Sequence, residues 1–178
     1  RDLESQGEVF QSESDTEVLL HLYHRYGRDM IGRLRGMFAF ALWDDQRQGL
    51  LLARDPFGIK PLYYATAAGT LRVASQVKAL LAGGAVATDP DPAGHAGFFL
   101  MGSVPEPHTL YRAISALPAG TSLWVDGDGV GEPMPYFNVT KALAFSAGQS
   151  SGQSSGTLRT ALLDSVRHHL VADVPVGV

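Results

Sequence analysis

Residues 36–44 read GMFAFALWD, and both alternating sets of the stretch are apolar. Met37, Ala39, Ala41 and Trp43 make one set; Phe38, Phe40 and Leu42 make the other. Side chains of a strand alternate between faces, so a strand here is expected to be buried on both. The turn DDQRQG (44–49) returns the chain into LLLAR (50–54), again apolar on both sides. A sheet covered on both faces needs a further layer against each. That requirement points to a layered fold of helices and sheet.

The rest of the chain supplies candidates for those layers. In SDTE (14–17), Ser14 stands three residues before Glu17, the spacing of a capping box in which hydroxyl and carboxylate each satisfy a free backbone N–H. Val18, Leu19, Leu22, Tyr23 and Tyr26 then form one helical stripe, which Gly27 stops, and DMIGRLR (29–35) adds a further helical turn or two. In RDPFGIKPLYY (54–64), Asp55, Pro56 and Gly58 fit positions i, i+1 and i+3 of a type I turn, with the Asp side chain bonding back to the backbone. LYYAT (62–66), the turn AAG and TLRVAS (70–75) extend the two earlier strands into an expected four-stranded meander. SQVKALLA (75–82) reads as a short helix capped by Ser75 and ended by Gly83-Gly84. A weaker helix is expected over 92–101, and TSLWVDGDG (121–129) is a strand entering a turn.

From Asn138 the pattern loosens, and SAGQSSGQSSG (146–156) has the composition of a flexible linker. Leu158, Leu162, Val166 and Leu170 then recur every four residues, which predicts a new amphipathic helix leading into DVPVGV. The expected organisation is a domain over 1–137, a linker over 138–156, and the start of a second domain over 157–178.

Composition narrows the function. The 178 residues are 45% apolar and 18% charged, which favours a packed core over disorder. Net charge is −4 and no basic block exceeds two adjacent residues, so neither a nucleic-acid groove nor a patch for anionic membrane is expected. With no cysteine, the chain holds no disulfide, no thiolate metal site and no thiol nucleophile of its own. No apolar run approaches membrane-spanning length and no signal peptide is visible, which predicts a soluble, cytosolic protein. The chain opens on Arg1 without an initiator Met and closes on an uncapped β-prone run, and so reads as a fragment.

Few residues suggest chemistry by themselves. Glu17, His21 and His24 lie at helical spacing that could hold a metal, but they are three mixed ligands on a polar face, and a solvated helix surface is the expectation. DGDGVGE (126–132) lacks the later ligand spacing of a calcium loop and reads as a Gly-Asp hairpin. His168-His169 sit inside the last helix with one imidazole toward solvent by periodicity. No GxxxxGK[ST] or GxGxxG is present. Asp15 keeps two readings. A carboxylate in the first helical turn gains from the helix dipole, which is the commoner role; its alternative use is to hold the ammonium of a ligand at the helix start.

Read in order, SDTEVLLHLYHRYG, RLRGMFAFALWD, LLLARDPFGIKPLYY, SQVKALL, VPEPHTLYRAISALPAG and HHLVADVPVGV resemble the glutamine-hydrolysing asparagine synthetases over nearly the whole chain. The resemblance implies an α+β fold: a four-layer α-β-β-α sandwich of the N-terminal-nucleophile type that frees ammonia from glutamine. An α/β domain of the ATP-pyrophosphatase type would follow, of which this chain holds the first helix. RDPFGIKPLYY would then be scaffold between core strands. The resemblance further implies that Asp15 binds the α-ammonium of glutamine, a contact that suits a charge-assisted hydrogen bond. The family's catalytic Cys and its N-G-E segment lie upstream, and SGGxDS, the pyrophosphate loop, follows ADVPVGV, so no catalytic, cofactor-binding or metal residue is carried onto this chain. Glutamine, aspartate and ATP with Mg2+ are the implied partners of the parent protein, without nucleic acid or membrane, and a homodimer is compatible with it. Gln76 departs from the usual Glu of S-E-x-K-A-L, and Ala119 from the second Pro of LPPG. Relatives that amidate another carboxylate, as in β-lactam synthesis or polysaccharide and peptide tailoring, share these strings. A non-enzymatic domain that lost its nucleophile is the rival from another class.

Overall fold

The computed structural model describes residues 2–147 and 155–170. The chain divides into two compact units, Arg1–Phe137 and Asn138–Val178. The first begins with α1 (Asp2–Ser5), α2 (Asp15–Tyr26) and a 3₁₀ helix (Gly27–Arg33), followed by the hairpin β1 (Ala39–Asp44) and β2 (Gly49–Arg54). A second hairpin, β3 (Tyr63–Ala67) and β4 (Thr70–Ala74), leads into α3 (Val77–Ala82) and α4 (Pro92–Met101). The short β5 (Ser115–Ala116) precedes β6 (Thr121–Asp126), β7 (Gly129–Val130) and β8 (Met134–Pro135).

The two hairpins belong to different sheets. One sheet runs β1-β2-β6-β7 with β8 also on β6, and the other runs β4-β3-β5; every pairing is antiparallel. The expected single meander is therefore wrong, and the intervening stretch explains why. Pro56 and Pro61 have no N–H to give a ladder. The N–H groups of Phe57, Ile59 and Lys60 all turn inward to the Asp55 carboxylate. With no donors left for β2, the chain crosses to the other sheet.

Strand periodicity builds the layers. On β2, Leu51 and Ala53 face α2 and the 3₁₀ helix, in a cluster with Leu22, Met30 and Ile31. Leu50 and Leu52 point the other way, against Leu62, Leu117, Leu123 and Tyr64. Across the second sheet, Tyr63, Ala65 and Ala74 meet Val77, Leu80 and Leu81 on and beside α3. Helix, sheet, sheet and helix follow one another, so the α+β sandwich stands. Full burial of a leucine such as Leu51 or Leu52 contributes about 1.5–3 kcal/mol.

β2 is covered on both faces as expected, but β1 is not. Among the described residues β1 has a strand neighbour on one side only. The inter-sheet cluster reaches Ala39 and stops there, leaving Ala41 exposed and Trp43 54% exposed. Among the described residues its apolar alternation is thus covered on one face only along Ala41 and Trp43. The start of α3 also differs: Gln76, not Ser75, takes the N-cap position, and its side chain makes no cap bond.

In the second unit, α5 (Val139–Ala147) forms where the sequence was expected to loosen, and Asn138 Oδ1 accepts the Lys141 N–H at 2.9 Å to cap its start. α6 (Ser155–His169) carries Leu158, Leu162 and Val166, all exposed. The centre of the expected linker and the DVPVGV run lie outside the described residues. Among the described residues no helix is long and apolar enough to cross a membrane.

Candidate functional site

The first turn of α2 is built by three neighbours with separate tasks. Ser14 is the N-cap, and its Oγ accepts the Thr16 N–H at 3.2 Å. Glu17, expected to reach the Ser14 N–H, reaches further back. Its carboxylate accepts the N–H groups of Gln11 and Ser12 at 2.8 Å each, and the Ser12 hydroxyl as well. The Ser14 N–H turns instead to Ser12 Oγ at 3.3 Å. These bonds hold the Glu17 carboxyl far below its ordinary value, to about 2, with the Ser12 hydroxyl the largest cause. None of them uses Asp15, the first helical residue, which is exposed.

Asp15 opens instead onto a groove of about 830 Å³ that follows the open edge of β1. Both alternating sets of the strand line it, Phe38, Phe40 and Leu42 with Ala39, Ala41 and Trp43. Lys60 and Leu62 from the crossover and Ser75 beyond β4 close its far side. The charges on its lining are the Asp15 carboxylate, Arg35 and Lys60. The Asp15 carboxylate offers a contact to an ammonium group, while Arg35, Lys60 and the positive end of the helix favour an anionic one, so the lining suits a small ligand that carries both.

Behind the groove, the crossover is pinned by Arg54. Its guanidinium donates to the carbonyls of Lys60 (2.8 Å), Gly58 (2.7 Å) and Leu117 (2.6 Å), and to the Glu106 carboxylate. The other Glu106 oxygen accepts the Ala119 N–H at 3.0 Å. A proline at 119 would have no such proton, so the departure at Ala119 adds one bond to the hub. The Asp55 carbonyl accepts from Gly58 (3.1 Å), the bond of the expected turn, and from Gly120 (2.9 Å). Gly58 has φ +63°, and a Cβ there would meet the Arg54 guanidinium at 3.0 Å. RDPFGIKPLYY forms the crossover between the two sheets and carries Lys60 and Leu62 to the groove.

His21 is not simply solvated. It is half-buried, its Nδ1 lies 2.7 Å from Glu8 Oε2, and its Nε2 lies 3.6 Å from Glu17 Oε1. His24 is exposed. Residues 126–129 form the expected hairpin between β6 and β7. Sequence reading missed the Arg54–Glu106 pair, which is separated by 52 positions; VPEP and RDPFG give no local sign that they meet. The redirected Glu17 carboxylate had a signal, since Ser12 offers a hydroxyl and an N–H just before the cap.

Among solved structures, the glutamine phosphoribosylpyrophosphate amidotransferase of Bacillus subtilis, determined with ADP and GMP, is similar to this chain in fold. It superposes with a TM-score of 0.50 at 25% identity, over 75% of this chain and 25% of its own. The fold is thereby that of the N-terminal-nucleophile amidotransferases. The chain belongs to the glutamine amidotransferase domain family, which matches residues 1–137. Asparagine synthetase [glutamine-hydrolyzing] 1 of Bacillus subtilis is 37% identical over 177 residues, 99% of this chain and 27% of the relative. An amidase of Penicillium rubens is 35% identical over 176 residues, 95% of this chain and 25% of the relative. The chain thus spans about a quarter of the length of the curated relatives it matches.

Proposed function

We propose that this chain is the glutamine-hydrolysing part of a cytoplasmic, ATP-dependent asparagine synthetase. Residues 1–137 are the glutaminase domain, 138–156 are the connecting segment, and 157–178 begin the synthetase domain. The parent reaction takes glutamine, aspartate and ATP to glutamate, asparagine, AMP and pyrophosphate. The observation that carries this reading is Asp15. It stands at a helix start beside an apolar groove, and the hydrogen bonds of that helix end pass it by. Its carboxylate holds the α-ammonium of glutamine while the apolar trough takes the side chain. The chain has no cysteine, so the thiol that attacks the amide carbon comes from polypeptide outside these 178 residues.

ATP and Mg2+ belong to the parent reaction, but the residues here do not fit them. Among the described residues no group of three or more His, Cys, Asp or Glu is placed to hold a metal, and the sequence has no GxxxxGK[ST] loop. No step is therefore assigned to them in this chain. The second reading is a relative that amidates a different carboxylate. One observation keeps it open: a protein of a different named activity, an amidase, matches at 35% where a synthetase matches at 37%, so similarity at this level does not fix the acceptor. The test is the full-length protein incubated with glutamine, ATP, Mg2+ and aspartate. Asparagine and AMP formed in equal amounts support the synthetase reading. Glutamate release without asparagine, with AMP appearing only on addition of another carboxylic acid, replaces it with the second.

A further inference from the structure

We infer that Glu17 is a positioning residue for glutamine: its carboxylate sets the place of Asp15 by tying the incoming loop to the helix that Asp15 begins. The inference rests on the reading of Asp15 as the ligand of the α-ammonium. Glu17 does not line the groove, whereas Asp15 and Thr16 do. It therefore acts on a ligand through the backbone and not by contact.

The first turn of a helix leaves N–H groups without intrahelical partners, and a surface helix end frays unless something outside holds it. Ser14 supplies one such bond, to Thr16. The Glu17 N–H adds a backbone bond to the Ser14 carbonyl at 3.2 Å, and the side-chain bonds that hold residues 11 and 12 converge on one carboxylate. Glu17 takes the N–H groups of Gln11 and Ser12 and the Ser12 hydroxyl, and Ser12 Oγ takes the Ser14 N–H. Asp15 follows directly. On its other flank the Glu17 carboxylate is backed by His21 Nε2 at 3.6 Å, while Glu8 holds the opposite imidazole nitrogen at 2.7 Å. Only 17% of the Glu17 side chain is exposed, and the oxygen that takes the Gln11 N–H is the one His21 approaches. A charge that recognises an ammonium must be held at the right distance, and a displacement of about 1 Å is enough to cost a large part of the binding.

The experiment uses the full-length protein with four variants, Glu17→Ala, Glu17→Gln, Asp15→Asn and the Asp15→Asn/Glu17→Ala double variant. Each is assayed with glutamine and with ammonium as nitrogen source, and its melting temperature is recorded. Glu17→Ala is expected to raise the KM for glutamine roughly tenfold, with kcat within about twofold and the ammonium-dependent rate unchanged. Glu17→Gln keeps one acceptor oxygen and should fall between Ala and the native enzyme. The double variant should match Asp15→Asn alone, because a displaced Asp15 and a neutral one lose the same contact. An unchanged KM in Glu17→Ala, or additive losses in the double variant, overturns the positioning role and leaves the Asp15 reading intact if Asp15→Asn still loses glutamine use. An inert Asp15→Asn overturns both. If Glu17→Ala fails to fold, Glu17→Gln decides: a KM raised about threefold with a normal melting temperature supports the inference, and a native KM refutes it.

Discussion

Asp55 and Asp15 are the same side chain in similar local settings, each just ahead of backbone N–H groups it could accept. Asp55 is fully buried and takes three of them, from Phe57, Ile59 and Lys60. Asp15 is exposed, and the N–H groups around it go to Ser14, Ser12 and Glu17. A carboxylate whose acceptor capacity is consumed by its own loop shapes the fold. One relieved of that duty by its neighbours is available to a ligand. The contrast extends to their surroundings, since Asp55 sits against the Arg54 hub at the centre of the sandwich and Asp15 beside the open edge of β1.

Asp55→Ala should have the largest effect. It removes a buried carboxylate and leaves three partly buried N–H groups without their acceptor, at a cost of roughly 2–4 kcal/mol, read as a lowered urea midpoint. A loss under about 1 kcal/mol would mean that water replaces the carboxylate and that the crossover does not depend on it. Tyr136→Phe is the milder attack on the same region. The Tyr136 hydroxyl donates to the Arg54 carbonyl, and its loss should cost about 1–2 kcal/mol. The helix mouth has its own signature, in pH. The Glu17 carboxyl sits at about 2 when folded against an ordinary 4.5, so its contribution is complete above 4.5 and is lost as pH falls toward 2. The Gln11 and Ser12 amide resonances should shift over that range, and resonances that stay put would show that the carboxylate does not hold them. The smallest change is expected at the third helix start, α3, where Gln76 makes no cap bond. Gln76→Asp should add a cap and stabilise the chain by about 0.5–1 kcal/mol, measured as a raised melting temperature.

Much of the scaffold was legible in the sequence because short-range rules govern it. The stripe on α2, its stop at Gly27, the Asp55 turn and the α4 helix each follow from residues within one turn of one another. The allocation of the hairpins to two sheets was not, because it depends on where the donors of 57–60 go, and a hydrophobic pattern does not register that. Trp43 was misjudged for a related reason. Apolar alternation shows that a strand could be buried on both faces, and its place at the sheet edge decides whether it is. At the site, Asp15 was legible as a candidate through family resemblance, while Glu17 was legible as the second half of a capping box and as one of three residues at metal-ligand spacing, not as the anchor of the loop before α2. The Arg54–Glu106 contact, across 52 positions, had no local signal at all.

The central claim is that the start of α2 serves the ligand and the crossover serves the fold. It is tested most directly by the ratio of glutamine-dependent to ammonium-dependent product formation in the full-length protein, measured for Asp15→Asn and Asp55→Asn side by side. Losing a charged partner of the α-ammonium should lower kcat/KM for glutamine by about one to two orders of magnitude. The ammonium-dependent rate should survive in Asp15→Asn, so its ratio collapses. In Asp55→Asn both rates should fall together with stability, and the ratio should stay near that of the native protein. A native ratio in Asp15→Asn, or a collapsed ratio in a well-folded Asp55→Asn, would contradict the account.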